Sequence, residues 1–461
     1  MEESFWKQTY EKILIGMGLL GITLNVLFLN QLLPFIGVLL LFTGFRKLRS
    51  ENLWLKAGYA GAVLKVVITI VIIVLGSVIE REKIYASYAW KGIAFCGGIL
   101  PTVLMVCFFL GMREELEQRE EKIKIEVLLH IIVWYIVVTV LAVQKYDGWF
   151  LGLAIVAAYI GILMELKNIA ENLEQAGYVL EEHPARISDS RYAAGAAILT
   201  AAGLFIGYIC FGFYHMEWTT AKEVQDPACE EIKTHLLSLG FPEEILKDLM
   251  EEDILACKNA RQVLLNQNDD LQQDEDERLQ LDGVAVELEQ EGQWKVIHHF
   301  LWNGNPGFLG TEAVQINPAY QELNGGWISQ GKLTGQVLYD KNGTSYTADY
   351  TILQDENYDT GMNAFFYGSQ QYASIFAEFS MPRRGENCRG YVAYEIKAKE
   401  RDWWIDSWIN YIHQKSIWQY PVISAAQHRK QGGWLEGRVF STVQDALQVL
   451  PEGESEGSID S

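Results

Sequence analysis

Residues 193–213 read AAGAAILTAAGLFIGYICFGF, a 21-residue run without one charged side chain. At 1.5 Å per helical residue it is about 30 Å long, the thickness of a bilayer's hydrocarbon core. Lipid offers backbone groups no partner, so a run of this kind satisfies itself as a helix. Upstream the chain is one apolar segment after another, and downstream it is acidic and polar with no segment able to cross. The run is read as the joint between a membrane half and a water-facing half.

Charge divides at the same place. Residues 1–214 hold 18 Lys and Arg against 19 Asp and Glu. Of the chain's 37 basic and 59 acidic groups, that leaves 19 and 40 for residues 215–461, a net charge of −21. A field of that sign repels nucleic acid and anionic headgroups, and it favours a basic protein, a basic peptide or a cationic cell-wall ligand.

Apolar segments predict about seven spans, at residues 13–29, 32–45, 57–78, 93–112, 127–143, 149–164 and 193–213. The segment at 32–45 is short for a crossing and carries Pro34 in its first turn, so 13–45 is either a full helical hairpin or a re-entrant one. With the N-terminus inside, thirteen Lys and Arg fall in inner segments and four in outer turns, as the positive-inside rule requires. Trp6, Trp54, Trp90, Trp149 and Trp218 fall at the expected membrane edges. The acidic half is thereby expected outside the cell. Lys65 is an intramembrane polar residue, read either as a snorkelling or structurally paired amine or as a transport site together with Gly97-Gly98 and Pro101.

Beyond the membrane, 215–265 reads as a helical hairpin, with Pro242-Glu243-Glu244 a good helix opening. Residues 266–282 read as an acidic linker that lacks the glycine and spacing of a calcium loop. Period-two alternation over 294–302 and 345–352, with Asn342-Gly343 as a hairpin turn, predicts antiparallel strands. Trp404, Trp408 and Tyr411-Ile412 read as helical, as does 441–450, where Ser441 and Gln444 match a capping box. Residues 451–461 read as a disordered tail. The expected fold is thus an α-helical membrane bundle, N-in and C-out, followed by an α+β, mostly antiparallel, sandwich-like extracytoplasmic domain over 283–450.

Of six cysteines, Cys229 and Cys257 flank the helical hairpin at a spacing that permits a disulfide. No CxxC or Cys/His cluster occurs, so no metal or cofactor is expected. His298-His299 lie on opposite faces of a strand and cannot hold one ion together. Glu114-Glu115 to Arg119 and Phe211 to His215 match two signatures of intramembrane CAAX-type proteases, yet the expected topology puts them a membrane apart. No nucleophile elbow, phosphate loop or kinase signature is present, so no catalytic residue is assigned and the chain is not expected to be an enzyme. Trp302, Trp327 and Tyr367 are the candidate ligand-binding aromatics, with core packing as their other reading. Inner loops too short for an enzyme domain mean that cytoplasmic signalling would need a membrane partner subunit.

Leu33-Pro34-Phe35-Ile36-Gly37 and Gly44-Phe45-Arg46-Lys47-Leu48, within residues 22–52, carry a resemblance. They are similar to the opening of a group of functionally uncharacterised multi-spanning membrane proteins of Gram-positive anaerobic bacteria. That group shows Leu-Pro-x-Phe-Ile-Gly, and here the intervening residue is missing. The resemblance implies a bacterial multi-spanning protein and assigns no functional residue. Together these readings point to a membrane protein displaying a binding or sensing domain, with a small-solute transporter or transport accessory as the alternative.

Overall fold

The computed structural model describes residues 5–21, 29–118, 125–144, 149–175, 187–221, 226–266, 278–321, 326–359, 371–399 and 404–450. The chain divides into two units, Met1–Phe211 and Gly212–Ser461.

The first unit is helical: α1 Phe5–Gly21, α2 Leu29–Leu48, α3 Leu53–Leu75, α4 Arg81–Ala86, α5 Tyr88–Gln118, α6 Val127–Val143, α7 Trp149–Gln175 and α8 Asp189–Phe211. Among the described residues, five segments are long and apolar enough to cross a membrane: Leu29–Leu48, Leu53–Leu75, Tyr88–Glu117, Phe150–Ile169 and Asp189–Phe211. The second arm of the first hairpin is therefore longer than its apolar run suggests, because α2 begins before Pro34 and absorbs Asn30 and Gln31. At α3, Asn52 supplies the cap by accepting a hydrogen bond from Leu55 N at 2.9 Å. Helices α1 and α2 meet through Gly16 and Gly37, where a Cβ on either residue would stand 2.7 Å from the other's carbonyl oxygen. Such small-residue contacts let helix backbones approach in apolar surroundings.

The second unit has twelve strands and four helices among the described residues. In chain order these are β1 Thr219–Thr220, α9 Pro227–Ser238, α10 Glu243–Asp248, α11 Glu251–Ala256, β2 Gln262–Leu265, β3 Leu279–Glu287, β4 Gln293–Trp302, β5 Glu312–Asn317, β6 Trp327–Lys341, β7 Thr344–Ala348, β8 Ile352–Asp359, β9 Gln371–Phe379, β10 Glu386–Ala398, β11 Ile405–Gln414, α12 Ala425–Lys430 and β12 Phe440–Val449. A seven-stranded sheet runs β1-β7-β6-β10-β4-β3-β2 and a five-stranded sheet runs β12-β11-β5-β9-β8. Trp294, Val296, Phe300, Val337 and Val392 from the first meet Val314, Ile316, Ile375, Ile409 and Leu447 from the second in one core.

Both outer faces are covered as well. Helices α9–α11 lay Ile232, Leu236, Ile245 and Ile254 over Val284, Val286, Ile297 and Ala393 of the larger sheet. Ala425 and Ala426 of α12, with Ile423, Val439 and Phe440, cover Ala313, Phe376 and Ile412 of the smaller one. Hence β4 is buried on both faces, where alternation alone predicts a half-buried strand. Asn342 and Gly343 take positive φ of 52° and 74° and close Lys341 onto Thr344, the turn that an Asn-Gly pair favours.

Two expected helices are strands. Residues 405–414 pair with β5 and β12 as β11, and 440–449 form β12. With both faces of β11 packed, burial runs almost continuously and the apolar residues Ile405, Trp408, Ile409, Tyr411 and Ile412 lose the strict alternation of a half-buried strand, so their spacing also fits a helix. The Ser441–Gln444 pattern is overridden by ten cross-strand pairs, while an actual capping box sits at Ser424 and Gln427 on α12. The expected helical hairpin at 215–265 is three helices followed by β2. Cys229 and Cys257, whose spacing permits a disulfide, are free, buried thiols in one apolar cluster.

The fold of the second unit also starts earlier than its first helix. Tyr214 N donates to Ser380 Oγ at 3.0 Å, Tyr214 OH donates to Glu378, and β1 extends the larger sheet beside β7. A fragment cut at residue 222 discards these contacts. Of the linker expected at 266–282, residues 267–277 lie outside the described residues and 279–282 instead begin β3; the tail at 451–461 also lies outside them.

Candidate functional site: an acidic cleft over a buried Asp–His pair

Strand pairing sets Asp282, His299, Tyr391 and Gln336 side by side across β3, β4, β10 and β6. Directly opposed residues share a face, and this is the face that α9–α11 cover. His298, one residue earlier, points into the sandwich, where its Nε2 lies 2.7 Å from Ser407 Oγ and burial pushes its pKa down to about 3.

Two carboxylates from the helical layer dock onto that face. Asp248, at the end of α10, receives His299 Nε2 at 2.9 Å and Arg389 Nε at 2.8 Å. Arg389 continues to Asp340 Oδ1 at 3.0 Å. Burial opposes the charge of Asp340, but hydrogen bonds from Asn387, Ser345 and Arg389 hold its carboxyl below the usual range. Asp253, on α11, receives Lys295 Nζ at 2.8 Å, Thr334 Oγ1 at 2.6 Å and the Tyr391 hydroxyl. Burial would lower the Lys295 amine, yet Asp253 and Glu395 outweigh it and hold it above its ordinary value. Asp253 and Lys295 are 0% and 2% exposed, so the helical layer is riveted to the sheet by a desolvated ion pair.

Beside the Asp248 pair a cleft of about 120 Å³ opens between α10 and the sheet edge, walled by Glu243, Glu244, Gln280, Asp282 and Leu301 with His299 in its lining. His299 is 2% exposed and its Nδ1 has no hydrogen-bond partner among the described residues. In its neutral form, a ring that donates Nε2–H to the Asp248 carboxylate presents Nδ1 as an acceptor. Glu243 is paired with Lys247 at 2.7 Å, and the carboxylates of Glu244 and Asp282 with the ring acceptor suit an ammonium or guanidinium group. Among its described lining residues, none carries a hydroxyl or thiol nucleophile.

The three candidate aromatics fall elsewhere. Trp302 is 1% exposed, packed against Phe308, Tyr411 and His413 in the sandwich core. Trp327 is buried and donates its indole N–H to Trp404 O at 2.9 Å. Neither presents a ring face for stacking on a ligand, since packing of the two sheets consumes both. Tyr367 lies outside the described residues.

Lys65 donates to Gly97 O at 2.8 Å. The reason lies four residues on: Pro101 has no N–H, so the Gly97 carbonyl loses its helical donor. Amine and proline break thus form one mutually satisfied unit, which favours the structural reading of Lys65 over a transport site.

Asp226, Cys229 and Glu251 bring ligand atoms within 4.8 Å of one another, a grouping their sequence separation conceals. Burial pushes the Cys229 thiol up, against ionisation, and Asp226 caps α9 by accepting from Ala228 N. No protein-family model, curated protein or solved structure matches the chain.

Proposed function

We propose that the chain is a multi-pass cell-membrane protein that displays its acidic β domain outside the cell to bind or sense a cationic group. The observation that carries the reading is the cleft, lined by Glu243, Glu244, Asp282 and a His299 whose Nδ1 has no partner among the described residues, on a domain whose net charge is −21. Exposed apolar faces support the membrane part: on α8, Ile198, Leu199, Phe205 and Ile206 are all more than half exposed, an arrangement suited to lipid rather than water. Seven crossings would use α1 and α6 as well as the five longer helices. At 17 residues each, these two reach about 26 Å.

Binding of a Lys-rich peptide to the detergent-solubilised full chain tests the functional part. We expect saturable binding at about 50 mM salt that weakens strongly at about 300 mM, because screening shortens the reach of the field. Glu243→Gln, Glu244→Gln and Asp282→Asn together should weaken it about tenfold or more, the value of one to two charge-assisted contacts. Binding indifferent to both salt and the triple variant would overturn the cationic-ligand reading.

A further inference from the structure

A second cleft lies in the helical unit, about 540 Å³ in volume, lined by Arg49, Ser50, Asn52, Leu53, Lys56 and Tyr59 where α2 passes into α3. We propose that it binds a phosphate oxyanion, supplied by the headgroup of an anionic phospholipid. The inference rests on the membrane placement proposed above.

Charge pairing singles the cleft out. Nearby Lys12, Arg46 and Lys47 converge on Asp189, at 2.9, 3.3 and 4.0 Å. Arg113 is paired with Glu117 at 2.6 Å. Arg49 and Lys56 form no ion pair with any described residue, and the Arg49 guanidinium stands 5.1 Å from the Tyr59 ring centroid, held over it. Two uncompensated cations therefore share one cavity with a serine hydroxyl.

The cavity wall is held in place. Asn52 caps α3 and, through its amide nitrogen, donates to Gly111 O and Glu115 Oε1 of α5, each at 2.9 Å. The first residues of α3 then leave Leu53 76% and Trp54 44% exposed. A soluble anion has no use for those side chains. A lipid does: cations take the phosphate while the apolar pair meets glycerol and acyl chain, and Trp is at home at that depth.

The test uses the full chain in nanodiscs of neutral phosphatidylcholine, with or without phosphatidylglycerol, and native mass spectrometry of lipid retained by the protein. We expect phosphatidylglycerol to be retained and to raise the thermal midpoint. Arg49→Gln with Lys56→Gln should weaken retention about 30-fold, since each basic side chain contributes about a factor of five near anionic lipid. Arg113→Gln, which removes a cation already paired at the same end of α5, should leave retention unchanged. A parallel arm titrates inorganic phosphate into lipid-free micelles. A midpoint shift there that the double variant abolishes supports the oxyanion site with free phosphate as a source. Equal retention by wild type and double variant, or equal loss in Arg113→Gln, overturns the proposal. Should the chain remain in the soluble fraction on cell breakage, it is the membrane placement itself that fails.

Discussion

Asp253→Asn is expected to loosen the helical layer from the β domain and to cost about 3 kcal/mol, the lower end of the usual penalty for removing one partner of a buried ion pair, because Glu395 still faces Lys295. Lys295 would keep Glu395, at 3.2 Å, as its ionic partner in a site that is 2% exposed, and one of the two donors, Thr334 or Tyr391, would face an amide NH2 in place of an acceptor. Amide hydrogen exchange on the full chain reads this directly. Protection in α10, α11 and the adjoining segments of β4 and β10 should fall by about two to three orders of magnitude, while β5 and β11 in the other sheet change less. Asp253→Leu combined with Lys295→Met should restore most of it, because an apolar pair of similar volume carries no desolvation cost. Unchanged protection in Asp253→Asn would mean that apolar packing alone holds the layer.

The second large effect is expected within the helical unit. Lys65→Met removes the donor that Pro101 obliges Gly97 to find, leaving a carbonyl unsatisfied at a cost of about 1–3 kcal/mol. Pro101→Ala supplies a backbone N–H to the same oxygen and makes the amine dispensable. In micelles, Lys65→Met should lower the unfolding midpoint, and Lys65→Met with Pro101→Ala should recover it. Strict additivity of the two changes would show that the lysine and the proline act separately.

How much of this is legible in the chain depends on how far apart the interacting residues lie. Apolar runs, the charge contrast across residue 214 and the Asn342-Gly343 turn are local signals, and each places an element or a boundary within a few residues. Strand β11 reads as a helix because burial on both faces erases its period, and β12 does so because a short cap pattern weighs less than ten cross-strand pairs. Trp302 and Trp327 stand out as aromatics, yet a domain with two facing sheets and covered outer faces has a use for every large ring inside. The site itself is out of reach for a different reason. Asp248 and His299 are 51 residues apart in sequence, and only the docking of α10 on β4 joins them. One signal is present: Lys295 sits between Trp294 and Val296 in a largely apolar stretch of strand, and a cation in such a place requires a buried partner. Likewise, the Gly97-to-Pro101 spacing of four marks a carbonyl in need of a donor, which Lys65 supplies.

Sidedness is the claim on which display of the acidic domain depends, and a single labelling experiment addresses it. Cys388 is no use as a probe, because it is 1% exposed and burial pushes its thiol up to about 12. Lys341→Cys, at the exposed hairpin end, and Ser188→Cys, at the exposed start of the last helix, are accessible to reagent if they face it. In an otherwise cysteine-free chain in intact cells, a membrane-impermeant maleimide should label Lys341→Cys before lysis and Ser188→Cys only after it. Labelling of Ser188→Cys in intact cells, with Lys341→Cys protected until lysis, would place the acidic domain inside and contradict the account.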